Sequence, residues 1–262
     1  MADRKAEKER LRQARIEAEK RERAEQRRKL ILGYGVAGLL TLLVLVGVVY
    51  VIAKSGDDST GPGGINTQSG ETHGLKPDER NGTPPPEQVE FDVADAAKNA
   101  DCTLREELPN EGATHLSPDQ DPPKYKTVPP TSGDHIEPPG QQADGAYLEP
   151  AEPVNFVHSL EHGRLAILYK PDLPEEQQLA LKGLYEEAYS GALLFPYADM
   201  PYAVAAVTWE NLVGCKQYRG AATLDAIRAF GIEHWGEGPE PADGFGPLTG
   251  PTPATPGQEP PE

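Results

Sequence analysis

The hydrophobic pattern of the chain is dominated by one uninterrupted apolar stretch near the N-terminus. Residues 30–53 read LILGYGVAGLLTLLVLVGVVYVIA and contain no charged side chain. A helix of this length covers about 36 Å, more than the roughly 30 Å hydrocarbon core of a bilayer. A buried core helix would carry a polar stripe, and a cleaved signal peptide would be shorter and end at a small-residue cleavage site. The pattern therefore predicts one uncleaved transmembrane helix.

Apolar spacing in the second half of the chain predicts a folded domain. Its predicted elements are, in order, a strand (164–169), a helix (174–189), two strands (192–195 and 202–212) and a second helix (223–235). The order strand–helix–strand–strand–helix is typical of an α+β fold. We expect a single small sheet with the helices packed on one face.

Segments rich in proline and glycine bound this domain. Residues 127–153 contain VPPTSGDHIEPPGQQADGAYLEPAEP, which predicts an ordered but irregular loop. Residues 54–87 and 239–262 have too few apolar side chains to offset the entropy of ordering them, which predicts a flexible linker and a disordered tail. The folded domain is therefore expected to span residues 88–238.

Charge differs sharply between the two sides of the apolar stretch. Residues 1–29 carry twelve basic and seven acidic side chains, whereas residues 55–262 carry twelve basic and thirty-five acidic ones. Because excess positive charge marks the cytoplasmic side of a membrane helix, we expect a cytoplasmic N-terminus and an extracytoplasmic domain at the cell membrane. The acidic domain argues against a nucleic-acid partner, and the 30–53 helix makes the lipid bilayer the expected one.

Cysteine use agrees with this location. The chain has two cysteines, Cys102 and Cys215, both beyond the predicted membrane helix. Outside the cytoplasm such a pair predicts a disulfide. A pair of packed thiols and a metal-binding role are the alternatives.

Histidines are concentrated in the predicted domain, which holds five of the six in the chain. The candidate metal ligands are His135, His158, His162 and Met200, and His115 lies in the same domain. Asp134 and Glu161 are candidate partners that orient the imidazoles, with loop capping as the alternative. His158 and His162 are four residues apart, so one helical turn would direct both rings at one ion. Imidazole suits copper or zinc, and a thioether would favour copper.

Two other interpretations of these histidines stay open. In a loop rich in proline, an imidazole N–H can donate to backbone carbonyls that have no partner in a strand ladder. Residues 158–162 also fit the motif H-x-x-E-H, in which two histidines bind zinc and Glu161 activates water. That motif needs a helix of several turns, whereas Gly163 and a predicted strand follow at once.

Several longer motifs resemble those of a known family. They are PPTSGDH at 129–135, Gly145 with Tyr147, VHSLEHGR at 157–164, the following LAILYKPDLP, and the stretch from PYADMP to TW at 196–209. Over about residues 88–240 the chain resembles a bacterial domain of unknown function, DUF3105. The resemblance implies a basic N-terminus, one membrane helix and an extracytoplasmic location. It places His135, His158, Glu161, His162 and Gly163 at motif positions and assigns no activity.

Three functions fit these observations. We favour a single-pass membrane protein whose extracytoplasmic domain binds a transition metal, copper before zinc. The second is a non-catalytic accessory or structural subunit that docks on a membrane-protein complex through the Pro-rich loop. The third is a zinc-dependent hydrolase with Glu161 as base. A non-enzymatic role is favoured over an enzymatic one.

Overall fold

A computed structural model of the chain describes residues 64–67, 69–188 and 192–240. None of the helices in these ranges is long and apolar enough to cross a membrane. The predicted membrane helix (30–53), the basic segment before it (1–29) and the end of the chain from residue 241 lie outside the described residues.

The described part of the chain has an α+β fold with four helices and eight strands. In chain order these are α1 (Val93–Asn99), β1 (Cys102–Arg105), β2 (His115–Leu116), β3 (His135–Ile136), β4 (Gly145–Ala146), α2 (Pro153–Glu161), β5 (Ala166–Tyr169), α3 (Glu175–Ala188), β6 (Leu193–Pro196), β7 (Val204–Thr208), β8 (Asn211–Cys215) and α4 (Ala221–His234). The predicted α+β class is confirmed.

Six of the strands form one mixed sheet in the order β1-β8-β7-β5-β6-β4. Strand β6 runs parallel to β5 and β4, and the other pairs are antiparallel. Helix α3 connects the parallel strands β5 and β6, because a parallel pair needs a crossover connection. The short strands β2 and β3 form a separate parallel pair.

Helices cover both faces of the sheet, which corrects the prediction of helices on one face. Along β5, Ile167 and Tyr169 belong to the apolar cluster that includes side chains of α1, α3 and α4. Ala166 and Leu168 belong to a second cluster, which includes side chains of α2. Successive side chains of a strand point to opposite faces, so a strand buried at every position must be covered on both. Helix α2, which the sequence pattern did not predict, covers the second face of the sheet.

Local chemistry explains where helices begin and end. The Asp92 side chain accepts the Asp95 backbone N–H at 2.9 Å, which caps the start of α1. Helix α2 begins at Pro153. Proline suits the first turn because backbone N–H groups at that position make no hydrogen bond within the helix, so the absence of one costs nothing. The chain leaves α2 through Gly163, whose φ of 75° lies in the left-handed region that favours glycine.

The predicted strand 202–212 is in fact two strands joined by a tight turn. Strand β7 ends at Thr208, which pairs with Asn211, the first residue of β8. Glu210 in the turn has a φ of 62°. Because the turn contains neither glycine nor proline, the apolar alternation continues across it and conceals the reversal.

A disulfide joins the first strand of the sheet to its neighbour. Cys102 and Cys215 are paired residues of the antiparallel strands β1 and β8, and their sulfur atoms are bonded. The predicted disulfide is confirmed, and the alternatives of packed thiols or metal ligands do not apply.

The described part of the predicted linker packs against the domain. The Thr83 N–H donates to the Leu179 carbonyl at 2.8 Å, and Arg228 donates to the Pro86 carbonyl at 2.8 Å. Asp78 is buried. The structure therefore differs from the expected flexible linker over residues 64–67 and 69–87. Backbone hydrogen bonds and close chain approaches hold this segment, and an apolar pattern does not reveal them.

Replacing Gly183 with Ala is expected to loosen this segment. A Cβ at Gly183 on α3 would lie 1.8 Å from the Thr83 carbonyl oxygen, so one of the two backbones must move. We expect the free energy of unfolding to fall by about 1–3 kcal/mol, despite the better helix propensity of Ala. Limited proteolysis should become faster around residue 83. The exposed Glu187→Ala on the same helix is the control, and equal stability of the two variants would contradict the prediction.

Candidate functional site

Three histidines and one glutamate converge where the β2–β3 pair meets the end of α2. His115 and His135 are directly paired residues of the two parallel strands. Helix α2 contributes His158 and Glu161, three residues apart and thus on one helix face. The ring centroids of the three histidines are 4.8–4.9 Å apart. The cluster therefore joins three separate parts of the chain.

Glu161 lies among these imidazoles. Its Oε2 is 2.9 Å from Nε2 of His135 and 3.3 Å from Nε2 of His115. One donor atom from each of the three histidines and from Glu161 lies within 4.8 Å of all the others. The donor atoms of a tetrahedral zinc ion with bonds of 2.0–2.1 Å are about 3.3 Å apart. Modest side-chain movements would therefore bring all four onto one ion.

Backbone carbonyls orient three of the histidine rings through Nδ1. The pairs are His135 with Gly133 at 2.7 Å, His158 with Ile136 at 2.6 Å, and His162 with Glu240 at 2.9 Å. A carbonyl oxygen only accepts, so Nδ1 carries the hydrogen and the lone pair of each neutral ring is on Nε2. Metal-bound histidines commonly donate their other N–H to a carbonyl in this way, which fixes both tautomer and orientation.

The contact between His135 and Glu161 needs a proton or a metal ion between the two side chains. The His135 ring is fully buried, and its Nδ1 donates to the Gly133 carbonyl. In a neutral ring, the Nε2 lone pair then faces a carboxylate oxygen at 2.9 Å, and both atoms are acceptors. Either a proton between the two atoms or a shared metal ion resolves this conflict.

Burial and neighbouring charges favour the metal-ready form of the donors. Burial lowers the pKa of His158 to about 3, and the adjacent histidines contribute in the same direction. Burial also lowers the pKa of His162 to about 4. Burial alone would raise the pKa of Glu161, but the hydrogen bond with His135 and the electrostatic effects of His135, His115 and His158 together hold that pKa below its ordinary value. At neutral pH, His158 and His162 are neutral and Glu161 is ionised.

The loop that carries His135 is held against the sheet. The Glu210 N–H, in the β7–β8 turn, donates to the Thr131 carbonyl at 3.0 Å. The Ser132 hydroxyl accepts the Glu111 N–H at 3.1 Å. Trp209 meets the His135 ring edge-on, with 6.1 Å between ring centroids. These contacts fix the imidazole before any ligand arrives.

A buried ion pair supports the end of α2. Nε of Arg164 donates to Asp144 at 2.8 Å, and Nη1 of the same side chain donates to the His162 carbonyl at 3.3 Å. Burial raises the pKa of the Asp144 carboxyl to about 6, against the opposing charge of Arg164. The guanidinium therefore links Asp144, just before β4, to the chain just after α2.

The structure places the predicted site residues in three different settings. His135, His158 and Glu161 are members of the cluster, with Glu161 among the donors and in contact with imidazoles. His162 lies beside it, with its ring 5.1 Å from that of His158. Met200 is buried in the second apolar cluster of the fold, where its side chain packs with aromatic and aliphatic groups.

Two differences concern residues that the sequence placed otherwise. The Asp134 carboxylate accepts the Thr114 N–H at 2.9 Å. Asp134 therefore caps the loop beside the cluster, which was the alternative to its predicted role of orienting an imidazole. His115, which was not among the predicted ligands, is a member of the cluster. His115 reaches the site through the pairing of β2 with β3, and strands of two residues are too short to show a periodic pattern in the sequence. That the residue is a histidine was the only sequence feature that could have indicated it.

The fold and the site define a class of protein: an α+β domain with a largely buried cluster of imidazoles around one carboxylate. Residues 115–244 match the model of a family described as a protein of unknown function (DUF3105). The resemblance predicted from the motifs is therefore confirmed, and the matched range contains every residue of the cluster. No curated protein and no solved structure matches the chain.

Proposed function

We propose that this domain binds a divalent transition-metal ion through His115, His135, His158 and Glu161. The observation that carries the proposal is the convergence of four donor atoms within 4.8 Å of one another. The orientation of His135 and His158 by backbone carbonyls supports it, as does the 2.9 Å approach of His135 Nε2 to a Glu161 oxygen, a position that a shared metal ion would satisfy.

The donor set favours zinc. Three imidazoles and one carboxylate suit a borderline ion, whereas thioether and thiolate ligands select Cu(I). The expectation of copper depended on Met200, and that residue packs in an apolar cluster. Without the thioether, the argument for Cu(I) over Zn(II) loses its basis.

A non-catalytic role fits this donor set best. Four protein ligands complete a tetrahedral shell, whereas a catalytic zinc keeps one position for water or substrate. Glu161 contacts two imidazoles of the cluster, which leaves less support for its action as a general base in a hydrolase. The His115 side chain is 35% exposed and offers the ion a route to solvent. We therefore favour a domain that holds or transfers metal.

The proposed setting is the outer surface of a membrane. The uncharged stretch 30–53 and the basic excess before it support a single-pass anchor with the domain outside the cytoplasm. The Cys102–Cys215 disulfide suits an oxidising compartment.

Metal analysis of the purified chain tests the proposal. The full chain, purified in mild detergent and stripped with a chelator, should retain stoichiometric Zn(II) after loading and desalting. Free Zn(II) at a hundred times its dissociation constant should stabilise the fold by about 2.7 kcal/mol. His158→Asn should abolish both effects, whereas His73→Asn, outside the cluster, should change neither. If the chain retains no metal after loading and desalting, the proposal is wrong. A parallel experiment with Cu(I) shows which of the two ions the site prefers.

A further inference from the structure

A second group of donor atoms adjoins the first and shares one residue with it. Donor atoms of Glu161, His162 and Glu240 also lie within 4.8 Å of one another. Glu161 thus belongs to both groups. His158 belongs to the first group and His162, one helical turn further on, to the second. Their rings stack with 5.1 Å between centroids and an interplanar angle of 27°.

The position of Glu240 is built into the fold. After α4 the chain returns to the end of α2, where the Gly236 N–H donates to the Gly163 carbonyl at 2.8 Å and the Glu240 N–H to the Glu161 carbonyl at 3.1 Å. A Cβ at Gly238 would lie 2.3 Å from that same Glu161 oxygen. Only glycine permits so close an approach, so this segment is fitted to the helix end.

The backbone of the same segment also sets the His162 ring. The Glu240 carbonyl accepts the Nδ1 hydrogen of His162 at 2.9 Å, as carbonyls do for His135 and His158 of the first group. In the neutral ring the lone pair is then on Nε2. His162 therefore meets the orientation rule for a metal ligand by a contact that is independent of the first group.

A carboxylate can bridge two cations because it has two oxygen atoms. In two-metal sites the ions are about 3.5–4 Å apart, and a shared ligand compensates part of their repulsion. Glu161 is buried and contributes a donor atom to both groups. Glu240 adds a second carboxylate on the exposed side, where a second ion would enter.

We propose that the site is dinuclear: Glu161 bridges one ion held by His115, His135 and His158 and a second ion held by His162 and Glu240. This inference rests on the proposed metal-binding function and extends it from one ion to two. The second position has fewer protein ligands, so water or a small anion completes its shell. The second ion would accordingly be the more exchangeable of the two.

Counting Zn(II) ions per chain tests the proposal on the full chain after loading and desalting. We expect two ions in the unchanged protein and one in either His162→Asn or Glu240→Gln. Glu240 is exposed, so its substitution keeps the test valid even if the buried His162 variant fails to fold. Anomalous diffraction at the zinc edge should show two peaks about 3.5–4 Å apart.

A third group of donors supplies the control. Glu106, Glu233 and His234 also bring donor atoms within 4.8 Å, near the end of α4. His234→Asn should leave two ions bound. One ion in the unchanged protein overturns the dinuclear site and leaves the proposed function intact, whereas no ion overturns both. Two ions that persist in Glu240→Gln also overturn it, because the second ion then lies elsewhere.

Discussion

Glu161→Gln is expected to lower the affinity of the chain for Zn(II) by on the order of 100-fold or more, since even indirect partners of a metal ligand are worth 10–100-fold. The substitution keeps the shape of the side chain and removes its charge. Glu161 is the one carboxylate among the four donors, and its Oε2 contacts His115 and His135. Isothermal titration of the stripped chain with Zn(II) measures the change.

The matched control is Glu152→Gln, the same substitution at the opposite end of α2. Glu152 is exposed, precedes the helix and makes no side-chain hydrogen bond to cap it. Its replacement should leave the Zn(II) affinity within about twofold, as expected for a surface site away from the ligands. Equal affinities of the two variants would remove Glu161 from the metal site.

The same pair of variants separates metal binding from a purely structural cluster. If the cluster is purely structural, Zn(II) does not stabilise the unchanged chain, and Glu161→Gln changes stability equally with and without Zn(II). If the two side chains share an ion, the unchanged chain is stabilised by Zn(II) and the variant is not. Thermal unfolding with and without Zn(II) distinguishes these outcomes.

The regular elements of the second half of the fold were predictable because their apolar spacing is local. The bounds of strand β5 and of helices α3 and α4 lie within two residues of the predicted ones. Strands β2, β3 and β4 have two residues each, too short for any periodicity. They are set by pairing with distant chain segments, and no window of sequence contains that information.

The same distinction applies to the candidate site. His158, Glu161 and His162 share one helix end, so their spacing alone indicated a common site. His115 and Glu240 join them through a parallel strand pair and through the chain segment after α4. Met200 looked equivalent as a residue type, but its position after β6 places it in an apolar cluster. The residue type therefore indicates which side chains could bind a metal, and the fold determines which of them lie close together.

Removal of the disulfide is expected to be the largest single loss of stability in the domain. Cys102 and Cys215 close a loop with a sequence separation of 113. In the chain-entropy model, opening a loop of this length lowers the free energy of unfolding by about 4–5 kcal/mol. The bond also holds β1, an edge strand whose sheet neighbour is β8. Urea unfolding with and without a reductant measures the difference.

The double variant Cys102→Ala/Cys215→Ala should match the reduced protein and should itself be insensitive to reductant, which separates the bond from other effects of the reagent. Zn(II) binding should survive in the folded fraction, because none of the clustered donors lies on β1 or β8. A change below about 1 kcal/mol on reduction would mean that packing of β1 against β8 and α1 replaces the covalent link. In that case the bond constrains the unfolded chain far less than its loop length implies.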